Sequence, residues 1–176
     1  MLESQPDPAC ENPGMAKRSA GILLFRRQPE LQVLIGHLGG PLWSRRDSAA
    51  WSIPKGEYGP DETPLRAARR EFAEELGLPV PDAELIELGT VTQSGGKQVT
   101  AWAAEADLDL DRVVLGTFEL EWPRGSGRIQ RFPELDRVEW CTSEQAGDRL
   151  IASQRQFLDR LADHLLRPHR AAEPPR

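Results

Sequence analysis

The chain is poor in cysteine, poor in lysine and devoid of long apolar runs. Only Cys10 and Cys141 occur among its 176 residues. Neither a disulfide framework nor a cysteine-based zinc cluster can be built from that pair, so any metal must rest on oxygen ligands. Apolar runs are no longer than the stretch Ile22–Phe25, far below the roughly 20 residues of a membrane helix, and no basic-then-apolar leader opens the chain. A membrane partner is therefore not expected, and a cytoplasmic location is. Positive charge is also short: 22 Lys and Arg stand against 28 Asp and Glu, a net −6. That balance argues against non-specific attraction to a nucleic-acid backbone, and it means that a small anionic substrate needs a cation to help hold it. The remaining composition, 39% apolar and 28% charged, is that of one ordinary soluble domain.

Prolines at 6, 8 and 13 and little apolar periodicity mark residues 1–16 as a tail, with Met15 a conceivable natural start; residues 168–176 read the same way. Residues 17–167 are left for one core. Ser19–Phe25, Leu31–Leu38 and the shorter Ala50–Ile53 have strand character, the first two joined by a polar turn through Pro29. Thr63 followed by Pro64 is a cap-then-first-turn signature. Leu65, Ala68, Phe72 and Leu76 then keep one apolar stripe until Gly77 stops the helix. Glu84–Thr92 and Gln98–Glu105 flank Ser94, Gly95 and Gly96 as a hairpin, Phe118–Trp122 alternates as a strand, and Val138–Cys141 reads as a last strand. Helices are expected at Ser143–Ile151 and Gln154–Leu166. The fold class is α/β or α+β layering rather than a bundle.

The helix over Pro64–Leu76 carries Glu71, Glu74 and Glu75 at i, i+3 and i+4, so the three carboxylates emerge from one side. Each such like-charge pair is unfavourable by ~0.2–0.5 kcal/mol, and acidic groups in a last turn face the negative end of the helix dipole. Arg70, four residues before Glu74, offsets part of the repulsion. A divalent cation would reverse its sign. A solvated acidic face explains E-x-x-E-E by itself, but the wider spacing does not fit so bland a reading.

From Gly56 the chain runs Gly56, Glu62, Arg70, Glu71, Phe72, Glu74, Glu75, Gly77, Leu78. At every specified position this resembles the Nudix box G-x5-E-x7-R-E-U-x-E-E-x-G-U, where U is a bulky apolar residue. The resemblance implies an α/β/α sandwich with a mixed sheet and a loop-helix-loop catalytic motif. It implies Mg²⁺ or Mn²⁺ as cofactor on Glu71, Glu74 and Glu75, with Glu71 and Glu75 foremost, joined by the carbonyl of Lys55. Glu62 and Arg70 match positions that brace loop against helix. The reaction implied is attack of an activated water on a diphosphate linkage. The general base does not transfer with the box: Glu74 and Glu75 are candidates within it. Outside it Glu134 is preferred, in a loop Arg131–Glu134 placed as in the family's diadenosine tetraphosphate hydrolases, and it could also contact the ion.

Pro54-Lys55-Gly56 resembles members that cleave dinucleoside polyphosphates and diphosphoinositol phosphates, and Lys55 there can serve as a point charge on phosphate. Trp43 and Tyr58 are candidates for stacking on a base, and Arg45 and Arg46 for a polyphosphate tail. The leading substrate is a nucleoside diphosphate linked to another moiety, of the diadenosine polyphosphate type. Clearance of damaged nucleoside triphosphates is a second enzymatic reading. A silent nucleotide-sensing domain is the non-enzymatic one, disfavoured because no box glutamate is missing. Oligomeric state stays open.

Overall fold

Strand β1 (Arg18–Arg26) is buried on both faces, and its side chains alternate between two cores: Ala20, Ile22 and Leu24 point one way, Leu23 and Phe25 the other. Only a strand at the middle of a covered sheet can read this way. The computed structural model describes residues 16–167; apart from Ala16, the two tails inferred from composition lie outside them, as does Cys10. In the sheet, β1 pairs with β2 (Gln32–Leu38) and β4 (Lys55–Glu57) antiparallel and with β6 (Gln98–Glu105) parallel. β3 (Trp51–Ser52) and β9 (Leu135–Thr142) flank β2, and β5 (Leu85–Thr92) closes the far edge. The seven strands form a mixed sheet.

Helix α1 (Pro64–Leu76) covers one face, burying Ala67, Ala68, Phe72 and Leu76 against β1 and β2. Burial of Phe72 and of Leu76 contributes ~1.5–3 kcal/mol each. Helices α2 (Ser143–Arg149) and α3 (Arg155–Leu166) lie against the other core, into which Phe157, Leu158 and Leu161 pack beside Trp51. The result is the expected α/β/α sandwich. Among the described residues, no helix is long and apolar enough to cross a membrane.

The strand boundaries near the site differ from the sequence reading in two places. Gly56 lies in β4, a strand with no β-forming residue of its own that exists because β1 offers an edge at Ser19–Gly21. Residues Arg131–Pro133 are not loop: they belong to β8 (Ile129–Pro133), which pairs with β7 (Thr117–Glu121) in a separate two-stranded arm. Glu134 is the single residue between β8 and β9.

Candidate active site

The start of α1 is set locally: the Thr63 hydroxyl accepts from the Arg66 N–H, Pro64 occupies the first turn, and Gly77 ends the helix at φ 69° with its N–H on the Ala73 carbonyl. The loop before it is tied to the helix by one guanidinium. Arg70 donates from Nε and Nη2 to both oxygens of Glu62 at 3.0 and 2.8 Å, from Nη1 to Glu74 at 3.0 Å and to Glu71, and from Nη2 to the Glu57 carbonyl at 3.2 Å. Hydrogen bonding to Arg70 holds the Glu62 carboxyl below its ordinary range, and the same bonds raise Arg70. Arg70 thus ties the loop of Glu62 to the helix.

Glu71 turns from this hub toward β4. A Cβ on residue 56 would sit 1.8 Å from its Oε2, so the Glu71 carboxylate occupies space that only a glycine leaves free. Glu75 lies deeper, at 8% exposure among the core-facing residues of α1, and accepts the Lys55 backbone N–H at 3.0 Å. It therefore does not share the solvated side of the helix with Glu74, whose side chain is 55% exposed. Burial, opposed by the Lys55 charge and abetted by Glu134 and Glu71, pushes Glu75 from an ordinary 4.5 up to about 8. Burial and the fields of Glu71 and Glu74 also raise Glu134, and burial lowers Lys55.

These groups line one cleft of about 490 Å³. Its charged wall is Lys55, Lys97, Glu57, Glu71, Glu75 and Glu134; its other wall is Leu38, Gly39, Trp43 and Phe118. Glu74 is adjacent but not part of the lining. Among the described residues no three acidic, histidine or cysteine side chains converge on one point as they stand, because Arg70 engages Glu71 and Glu74 while the Lys55 amide engages Glu75. The donor set nevertheless fits a hard divalent cation: it offers carboxylate oxygens, the proton affinities of Glu75 and Glu134 are raised in part by their acidic neighbours, and Gly56 is cut away to seat Glu71.

Other expected residues are elsewhere. Tyr58 packs with the α1 core under the Arg18 guanidinium, 5.1 Å from its ring centroid, and does not reach the cleft. Arg45 and Arg46 do not line it either; the Arg46 guanidinium lies 5.7 Å from the Trp43 ring. Lys97, Glu57 and Phe118 were missed. Lys97 binds Glu57 at 2.9 Å, and Lys17 binds the same carboxylate at 3.7 Å. Of the three lysines of the chain, Lys55 and Lys97 thus line this cleft and Lys17 pairs with its Glu57, and their scarcity was the available signal. Nothing local marks Phe118 apart from other alternating strand residues.

A model of the NUDIX domain matches residues 15–161. RNA pyrophosphohydrolases of Pseudomonas putida are 44% identical over 55 residues, 31% of this chain and 35% of theirs; the chain thus spans about a third of the length of these curated relatives. Among solved structures, an Ap4A hydrolase binary complex of C. elegans superposes with a TM-score of 0.63 at 22% identity, over 85% of this chain and 98% of that one. The NUDIX domain of Shewanella oneidensis NrtR, complexed with ADP ribose, does so with 0.61 at 15% identity, over 90% and 94%. The structural likenesses speak for the fold, and the domain match covers most of the chain: it belongs to the NUDIX family.

Proposed function

We propose that residues 17–167 form a divalent-cation-dependent pyrophosphohydrolase domain that cleaves a phosphoanhydride in a dinucleoside polyphosphate of the diadenosine tetraphosphate type. The observation that carries this reading is the meeting, in one cleft, of Glu71, Glu75 and Glu134 with the half-buried Lys55 and the side chain of Trp43. Glu71, Glu75 and the neighbouring Glu74 would hold Mg²⁺ or Mn²⁺, with the Lys55 carbonyl and Glu134 as further oxygen donors. A bound cation neutralises the phosphates and makes water more acidic. Arg70 and Glu62 keep the carboxylates oriented. Lys55 places an ammonium on a phosphate oxygen. Glu134 receives the proton of the attacking water as the new P–O bond forms and the anhydride P–O bond breaks. Trp43 offers a face for the base, a contact worth ~1–3 kcal/mol.

The 44% identity to RNA pyrophosphohydrolases over 55 residues supports a second reading, removal of pyrophosphate from a triphosphorylated RNA 5′ end. The net charge of −6 weighs against a long RNA track and leaves only the terminal nucleotide to be gripped. Incubation of the full chain with Mg²⁺ or Mn²⁺ and a panel of diadenosine tetraphosphate, nucleoside triphosphates and triphosphorylated RNA, with product identification, tests both. Preferred turnover of the dinucleotide is expected. Preference for RNA selects the second reading, preference for a triphosphate gives a house-cleaning enzyme, and no turnover of any member leaves a sensing domain.

A further inference from the structure

His37, in β2, is 1% exposed and lies between two oxygens. Nδ1 is 2.7 Å from Oδ1 of Asp136, and Nε2 is 2.6 Å from the backbone carbonyl oxygen of Arg46. A backbone carbonyl and an ionised carboxylate only accept, and a neutral imidazole has a single N–H. One ring nitrogen of the neutral form would therefore press a lone pair against oxygen. The imidazolium satisfies both contacts, with Asp136 as counter-charge. On the remaining side the ring meets the edge of Trp51 at 5.2 Å. Arg137 and Arg149 lie over that indole at 5.0 and 4.9 Å, and Asp47 accepts both its N–H and an Arg137 N–H.

The two oxygens belong to the two segments that frame the cleft. β2 pairs His37 with Arg137 and then Leu38 with Leu135, so Asp136 is the extra residue of a bulge, without a partner in the ladder, and its carboxylate turns to His37. Just before it, the Glu134 carbonyl accepts the Gly39 N–H at 2.9 Å. Arg46 closes the turn that carries Trp43. Among the described residues, Gly40–Arg46 makes hydrogen bonds only within itself, from Trp43 and Ser44 to Gly40 and from Arg46 to Trp43, except for the bond from His37.

We infer that His37 is a positioning residue that clamps the Trp43 turn onto the bulge beside Glu134 and so sets where Trp43 stands in the cleft. Its effect on catalysis rests on the pyrophosphohydrolase reading; its effect on the turn does not.

Side-chain ¹⁵N spectra of the full chain without metal or substrate read the ring directly: both His37 nitrogens engaged in hydrogen bonds are expected, and a nitrogen free of one overturns the proposal. His37→Gln carries its N–H donors on a single nitrogen and cannot span the two oxygens. With the fold intact by circular dichroism, it is expected to raise KM about 10- to 100-fold with kcat nearly unchanged, and to speed amide exchange at Trp43–Arg46. Wild-type KM together with wild-type exchange overturns the proposal. If that variant does not fold, Asp136→Ala, which removes the oxygen facing Nδ1, is expected to speed the same amide exchange, and wild-type exchange at Trp43–Arg46 overturns the proposal. Since the spectra and the exchange need no turnover, an inert substrate panel would count against the activity and not against the clamp.

Discussion

On the α1 side of the cleft, one guanidinium reaches Glu62, Glu71, Glu74 and the Glu57 carbonyl, and Glu75 is pinned by the Lys55 amide. On the Trp43 side, the turn Gly40–Arg46 makes one hydrogen bond to the rest of the described residues, the one from His37, and Trp43 packs half-buried against the core. The first wall concentrates like charges, so it must be braced from several directions to keep them where a cation can bridge them. In the function proposed above, the second would meet a flat base through an aromatic face, which tolerates small displacements. Chemistry would then rest on a network with many redundant bonds, and recognition on a segment with few, where a change of sequence alters the ligand without disturbing the carboxylates.

Breaking the first wall should have the largest effect. Glu75→Gln removes a charge and little volume; turnover is expected to fall about 10³-fold or more, with the fold intact by circular dichroism. The same change should stabilise the ion-free protein. Glu75 is raised from 4.5 to about 8 in the folded state, so between those values the native form binds the extra proton. Its contribution to stability therefore falls as pH rises through that window. Thermal unfolding at several pH values should show a flatter dependence in the variant than in the ion-free wild type. Glu134→Gln is expected to lower kcat about 10²–10⁴-fold, the usual range for a general base, while near-wild-type kcat would assign the proton to a box glutamate. Gly56→Ala places a methyl group on the Glu71 carboxylate; a 10- to 100-fold loss in apparent affinity for Mg²⁺ is expected, read from titration of activity against the ion.

Changes to the second wall should be smaller and of another kind. Trp43→Ala is expected to raise KM about 5- to 100-fold, the equivalent of ~1–3 kcal/mol of stacking, with kcat nearly constant. A matching fall in kcat would show that the two walls are not separable. Tyr58→Leu sharpens the contrast at the small end. Tyr58 packs against the α1 core beneath Arg18, so KM should move less than about twofold while stability drops by about 1 kcal/mol from the lost cation–π contact and packing.

The helix Pro64–Leu76 was legible to the residue because each of its signals is local: a capping hydroxyl, a proline at the first turn, a glycine able to take positive φ at the end. The central strands were legible because burial on both faces demands unbroken apolar runs. The arm β7–β8 was half seen. Thr117–Glu121 alternates, but Ile129–Pro133 is exposed or half-buried along its length, so its strand character comes from pairing and leaves no apolar pattern. Glu75 shows the same limit at one residue. Its spacing put it with Glu71 and Glu74, yet the helix is rotated so that it is buried while Glu74 is exposed, a matter of how α1 sits on the sheet.

The sequence by itself determined the order of the longer strands and the helices, the acidic helix with its glycine before and after, and membership in the family, since these rest on short-range spacing and on residue chemistry. Only the tertiary structure decided which candidates share a cleft. Glu134, Trp43, Lys97 and Phe118 reach it from segments far apart in the chain, while Tyr58, close to the box, does not. Distance along the chain constrains proximity for a few residues only; beyond that, strand pairing and the packing of helix on sheet set it.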